Sequence, residues 1–393
     1  MVKRALLVLA GVISVLAVIS GCMLPTPPAA PKLPSEINIA MANPKPTAMA
    51  TALADIVSKY TPMKASTVKV SSNAEALNKI QQAASEKVNL SGCMPCHRVG
   101  TWLVAQGAYQ AAVFPTTAVV GIVDGDKALL RPMFCGAGPE TTNAFGIQTT
   151  PKSGIKTVAD LKGKRIYAEY SNLLFLAPTV DAILKANGMT RNDVQWLKFT
   201  TVAAAFKDVT EGKADAVFYQ SSTNSSDLAK AAGLYVVPLS ADTQKAVAAA
   251  GLGIIGTNWP AGQDGNTVDT PTIGMPYIAF GAVHLPEEAG YLITKAVFEH
   301  LAEFQAADKV NTGFTKESAL LQWDLPYHSG AIKYFKEIGL WKPEMDSAQT
   351  HLTAKWAAVR TGDKASGATT GGTSGGASGG PDVPCNTCKT PPK

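Results

Sequence analysis

The residues of this 393-residue chain best equipped for chemistry are its six cysteines. Cys93-Met94-Pro95-Cys96-His97 has the spacing of a c-type haem attachment site, where two thiols add to the vinyl groups and the next imidazole ligates iron. On that reading Cys93, Cys96 and His97 carry a covalent haem c, with His97 as the metal ligand. A Cys-x-x-Cys pair at a helix start equally forms a redox-active or structural disulfide, or simply a turn that contacts a solute. A third chemistry uses soft ligands: Cys93, Cys96 and His97, joined by Cys135 and by Met41, Met94 or Met133, suit copper or zinc. Cys385 and Cys388 form a second, isolated pair, suited to a local disulfide, a metal or a partner thiol.

The sixth cysteine, Cys22, ends an export pattern. Lys3 and Arg4 precede a continuous apolar run over residues 5–20, and Ile19-Ser20-Gly21 places small residues before Cys22. This is a lipobox, so residues 1–21 are expected to be a lipoprotein signal peptide and Cys22 the lipidated first residue of the mature chain. An uncleaved anchor is the alternative, since the run is slightly short of the roughly 20 residues a span needs. Either way the body is expected outside the cytoplasm, in the periplasm or at the cell surface, tethered to a membrane.

The elements that must position these groups lie between two spacers. Residues 22–35 are too Pro-rich to pack and read as a tether. Residues 361–393 carry a Gly/Ser-rich stretch without large apolar side chains, which cannot offset its ordering entropy. The roughly 330 residues between them are enough for two domains or one bilobed one. Hydrophobic residues make up 46% and charged residues only 17%, which is ample core. The net charge of +5 includes Lys3 and Arg4, and no basic run exists, so nucleic acid is excluded as a partner. A weak bias toward anionic ligands is all that the charge implies.

Short apolar strands alternate with helical segments, the signature of an α/β fold. Strands are expected at 37–41, 67–70, 87–90, from 165 and at 214–219. Helices are expected at 47–59, 73–85, 99–108, 178–187 (stopped by Gly188) and, as one long amphipathic element, 292–305, with a short helical turn at 158–161.

Four segments carry a resemblance to a known family. GIKTVADLKGKRIYA (154–168), ILKANGMTRNDVQWLKF (183–199) and VTEGKADAVFYQ (209–220) resemble the second lobe of extracytoplasmic solute receptors. LPYHSGAIKYFKEIGLW (325–341) is similar to the C-terminal signature of the TAXI family, the solute-binding subunits of tripartite TRAP transporters. The resemblance runs from about residue 37 to about 341. It implies a two-lobed, type II periplasmic-binding-protein fold with hinge strands near 129–135 and 273–280 and a central ligand cleft. Residues 36–135 and 273–360 would form lobe 1, with 136–272 inserted as lobe 2. The implied role is a receptor that delivers a small solute to membrane permease subunits, with no catalysis.

In such folds ligands sit beyond the carboxyl ends of the strands and at helix N-termini. The loops concerned are 42–47, 71–73, 91–97, 170–172 and 219–222. Candidate ligand-binding residues are Lys45, Thr47, Asn73, Cys93, Cys96, His97, Tyr170, Ser171, Asn172, Tyr219 and Gln220. Two of these loops depart from the family. The first reads ANPKPTAM in place of a Gly-rich stretch with paired tyrosines, and the lobe 2 loop reads Tyr170-Ser171-Asn172-Leu173 in place of a Gly-Ser-Gly-Thr-like run. His328 and Asp215 invite a catalytic reading, but no Ser-His-Asp grouping or G-x-S-x-G elbow accompanies them, and both are expected to be structural.

Overall fold

A computed structural model of the chain describes residues 32–361, except 43, 71–100, 102, 120, 121, 123, 171, 172, 221–226, 228, 264, 322 and 323. The expected leader with Cys22, most of the tether, the helix at 73–85, the strand at 87–90 and the tail with Cys385 and Cys388 lie outside these residues. So does the start of the helix at 99–108, which is described from Thr101 to Ala105, apart from residue 102.

Strands β1 (Glu36–Met41), β2 (Lys64–Lys69), β3 (Ala111–Pro115), β4 (Leu130–Gly136) and β12 (Tyr277–Ala282) form one sheet in the order β2-β1-β3-β12-β4. β1 runs parallel to β2 and β3, while β12 is antiparallel to β3 and β4. β3 and β12 read AAVFP and YIAFGA and are buried along their whole length. Such unbroken apolar runs belong to strands covered on both faces. Val113 and Ala279 pack into one core with Met49, Leu53 and Val57 of helix α1 (Pro44–Tyr60). Phe114 and Ile278, on the opposite face, pack with Val104, Cys135 and Trp356.

The second sheet contains β5 (Asn143–Thr149), β6 (Arg165–Tyr170), β7 (Gln195–Phe199), β8 (Ala216–Gln220), β10 (Ile255–Trp259) and β11 (Thr270–Met275) in the order β10-β11-β5-β8-β6-β7, with β9 (Tyr235–Val236) beside β5. Its core draws on helices α2 (Leu176–Ala186), α3 (Val202–Thr210) and α4 (Ala241–Ala248). The chain is therefore a two-lobed α/β fold, with β4 leading out of lobe 1 and β12 leading back. The second sheet continues to Met275, beyond the expected end of the lobe at 272, because Ile273, Gly274 and Met275 pair with Phe145, Ala144 and Asn143. Pro276 alone separates β11 from β12.

Lobe 1 is completed by α5 (Glu287–Glu299), α6 (Leu301–Ala307), α7 (Ser329–Glu337) and α8 (Pro343–Thr361). The single helix expected over 292–305 is broken at His300, whose backbone leaves helical geometry (φ −115°, ψ 33°) while its ring stacks on Tyr60 at 3.3 Å. Other boundaries move slightly. α1 starts at Pro44 rather than 47, since proline suits a first turn whose N–H groups lack intrahelical partners anyway. The strand expected at 67–70 runs from Lys64 to Lys69, and that expected at 214–219 runs from Ala216 to Gln220. The latter starts late because Asp215 turns back to bind Arg165. Gly188 ends α2 in the left-handed region at φ +72°, where the Met189 amide donates to the Leu184 carbonyl.

Candidate functional site

The strand registers put the ligand-facing edges of both lobes at the same place. In lobe 1, β1 is parallel to β3, and Tyr277 lies opposite both Pro115 and Gly136. The carboxyl ends of β1 and β3 therefore meet the two crossovers. In lobe 2, Phe145 lies opposite Gln220, Tyr170 opposite Phe199, and Asn143 opposite Met275. The carboxyl ends of β6, β7 and β8 thus face the crossovers too. A cleft at the carboxyl ends of parallel strands, where the chain passes between lobes, is the general location for ligands in α/β proteins.

The crossovers are packed tightly by small residues. A Cβ on Gly136 would lie 2.6 Å from the Phe314 ring, and one on Gly274 would lie 2.8 Å from the Asn143 carbonyl oxygen. A turn at 138–142 closes through the Thr142 amide on the Gly138 carbonyl (2.7 Å). Between the lobes, Thr116 Oγ1 of lobe 1 donates to the Gly253 carbonyl of lobe 2, and Thr117 Oγ1 sits 3.0 Å from Met275 Sδ.

Among the predicted contacts that lie in the described residues, Lys45, in the first turn of α1, hydrogen-bonds to this junction. Its Nζ donates to Asn143 Oδ1 (3.0 Å), and Asn143 Nδ2 donates to the Tyr277 hydroxyl oxygen (3.2 Å). Burial pulls the Lys45 pKa below its ordinary value; Glu140 partly offsets this and Lys309 adds to it. Glu140 is itself paired with Lys309 at 3.3 Å. Tyr277 is fully enclosed, and burial pushes its hydroxyl pKa far above the usual value. Sequence reasoning missed Asn143, Tyr277 and Thr116. Thr116 alone carried a signal, as a short polar residue directly after the apolar run AAVFP.

The other predicted residues are placed differently. Thr47 is half-buried in the first turn of α1. The Tyr170 ring stacks on Phe199, with centroids 4.6 Å apart, at the carboxyl end of β6. Tyr219 is only 8% exposed and turns its ring into the lobe 2 core, edge-on to Phe199 and Phe206. Gln220, half-buried, ends β8. Asn73, Cys93, Met94, Cys96, His97, Ser171 and Asn172 lie outside the described residues. Cys135 is buried in β4 with its sulfur 3.8 Å from the Tyr327 hydroxyl, and Met133 is buried on the opposite face of the sheet. Among the described residues no three His, Cys, Asp or Glu side chains gather as a metal ion would require.

Both residues that invited a catalytic reading serve the fold. His328 caps α7: its Nδ1 accepts from the Gly330 amide (3.2 Å), and Nε2 lies 3.0 Å from the Leu285 carbonyl, so Nε2 carries the proton. Asp215 accepts from the Arg165 amide, Nε and a terminal guanidinium nitrogen at 2.8–3.0 Å.

A model of the NMT1-like family matches residues 136–339, from the start of the first crossover through α7. Among solved structures, the periplasmic aliphatic sulphonate binding protein SsuA from Escherichia coli is 17% identical, with 84% of this chain and 90% of that one covered and a TM-score of 0.42. A TctC solute binding protein from Polaromonas is 13% identical, with 71% and 90% covered and a TM-score of 0.43.

Proposed function

The chain belongs to the NMT1-like family, and on that premise we propose that it is an extracytoplasmic receptor that closes its two lobes on a small solute. The observation that carries this reading is the convergence of the carboxyl ends of β1, β3, β6 and β8 on the crossovers, with the half-buried Lys45 among them. Loop groups and side chains at these ends supply affinity, and the inter-lobe contacts at Thr116 and Asn143 are those a closing motion would remake. Neither His328 nor Asp215 is available for catalysis, which favours a receptor over an enzyme. A thermal-shift screen with carboxylates and amino acids tests the reading, because a ligand that binds only the native state raises its melting point. Stabilisation by one compound class is expected. Silence across the library, with no co-purified solute, would refute it.

The finer assignment is a TAXI-type subunit that hands its solute to TRAP permease subunits. It is supported by the 325–341 signature, which here forms the segment capped by His328 and the helix α7 packed on α5. Co-purification with permease subunits is the expected outcome, and transport that proceeds without this chain would rule it out. Lipid anchoring through Cys22 is supported by the lipobox. Labelling with a fatty-acid precursor should therefore be lost in Cys22→Ala.

A second reading rests on Cys93, Cys96 and His97: covalent haem, or a soft metal, on the same fold. Exporting the protein from a haem-maturing host and recording its visible spectrum decides it. A colourless, metal-free protein ends that reading and leaves the turn to a disulfide or to the solute.

A further inference from the structure

The Lys45–Asn143–Tyr277 chain has a property that the receptor role alone does not require. Lys45 belongs to lobe 1, Asn143 opens the first strand of lobe 2, and Tyr277 opens the strand that returns to lobe 1. Asn143 is thus bound on both sides by lobe 1: its side-chain oxygen Oδ1 accepts from the Lys45 ammonium and its Nδ2 donates to the Tyr277 hydroxyl oxygen.

For a half-buried ammonium, a neutral amide oxygen is a poor partner. Hydrogen bonds to an ionised acceptor are roughly twice as strong as those to a neutral one. Among the described residues no carboxylate lies within ion-pair distance of Lys45, and the nearest acidic influence, Glu140, is paired with Lys309. An ammonium also carries three donors, of which Asn143 uses one.

The backbone of α1 cannot supply this attraction instead. The first four N–H groups of a helix normally form its anion-binding end. In α1 these positions are Pro44, Lys45, Pro46 and Thr47, and the two prolines have no N–H to give. Within the first turn of α1, attraction for a negative group therefore falls mainly to the Lys45 side chain.

Resting on the receptor reading above, we propose that Lys45 is a partner-exchanging anchor: an anionic group of the solute replaces Asn143 Oδ1 on the Lys45 ammonium. The solute class is then a small molecule with at least one carboxylate, sulfonate or phosphate group. Because Asn143 also holds Tyr277, the exchange that recognises the charge is the one that releases α1 from the first crossover. An uncharged solute gains too little from Lys45 to displace the amide.

The test uses acetate, succinate, methanesulfonate and inorganic phosphate as probes, with acetamide, succinamide and methanesulfonamide as uncharged counterparts. Dissociation constants come from melting temperature against probe concentration for the wild type and for Lys45→Met, Asn143→Ala and Asn143→Asp. Each variant's melting point without probe reports whether it is folded. At least one anion, and not its uncharged counterpart, should stabilise the wild type. Lys45→Met should weaken that anion by about tenfold or more, the worth of a charge-assisted hydrogen bond. Asn143→Asp should weaken it similarly, by keeping a carboxylate on the ammonium. Asn143→Ala should tighten it several-fold, by removing the competitor; a residue that merely supports the fold would not do so. Binding of charged and uncharged probes alike, retention of anion binding in Lys45→Met, or an Asn143→Ala variant no tighter than wild type would overturn the proposal and leave the receptor standing. Silence toward every probe would count against both.

Discussion

Replacing His328 by alanine should destabilise lobe 1 without touching Lys45, Asn143 or Tyr277, and the size of the effect can be built from its contacts. The ring is only 3% exposed. Its Nδ1 accepts the Gly330 amide at the start of α7, and loss of an N-cap costs about 1 kcal/mol. Its Nε2 proton serves the Leu285 carbonyl, and leaving that acceptor buried without a partner costs about 1–3 kcal/mol. The ring also lies directly against Gly290, where an added Cβ would fall 2.2 Å from Nδ1, so its removal opens a void beside the α5 backbone. Together these predict a loss of about 4 kcal/mol, or about 10 °C in the transition of lobe 1. His328→Asn, which keeps a capping oxygen but not the reach to Leu285, should recover about half. Burial pulls the His328 pKa below the ordinary histidine value, and a proton on Nδ1 would oppose the Gly330 N–H. The unfolded chain therefore takes up a proton that the native state refuses. This stability is present above about pH 6.5 and is lost as pH falls below it, by up to about 1.4 kcal/mol per pH unit. Denaturant titrations of wild type and His328→Ala at pH 5, 6 and 7 measure both effects. A variant within about 1 kcal/mol of wild type, with the same dependence on pH, would refute the capping account.

Three further outcomes follow from other contacts. Lys45→Met should raise the melting point of the solute-free protein, because the native state disfavours the charged amine. That advantage should shrink as pH rises through the lowered lysine pKa and vanish above about 10.5, where the amine is neutral in both states. Gly330→Ala should cost about 3 kcal/mol or more in denaturant titrations, since its Cβ would lie 2.1 Å from the Glu287 carbonyl oxygen and 2.3 Å from the Tyr291 nitrogen, forcing α5 and α7 apart. Gly125→Ala, with open space around it, is the matched control and should be near neutral. Arg165→Met removes donors to the Gly212 and Lys213 carbonyls and to Asp215, and should lower stability modestly, since solvent screens this partly exposed site. Arg165 holds the Asp215 carboxyl below its ordinary pKa, so this contribution is present above about pH 4 and fades as pH falls through the lowered value. The wild type should therefore lose more stability than the variant on acidification in that range.

Much of the architecture was legible because it depends on short-range rules. The strands expected at 37–41 and 214–219 are found as β1 and β8, and the stop at Gly188 follows from its freedom at positive φ. The break at His300 was not legible. The helical apolar pattern continues through it, and what interrupts the backbone coincides with a ring stacked from Tyr60, some 240 residues earlier in the chain. Tyr219 shows the same limit within the site. Its position at a strand end suggests a ligand contact, yet its ring is drawn into the aromatic cluster of Phe199 and Phe206.

What the sequence determined by itself is the alternation of strands and helices, since periodicity and turn residues are local; the two-lobed class was implied by the resemblance of its motifs to a known family. The sequence also marked Lys45, in the loop ANPKPTAM before the first expected helix, as a candidate ligand contact. Only the tertiary structure decided what that cation meets. Asn143 lies 98 residues away and Tyr277 a further 134, and they reach Lys45 only because the registers of β4, β5, β11 and β12 bring both crossovers to the same edge. A one-residue slip in any of these pairings would turn the side chains to the opposite face, so the site is a consequence of long-range register that no local pattern encodes.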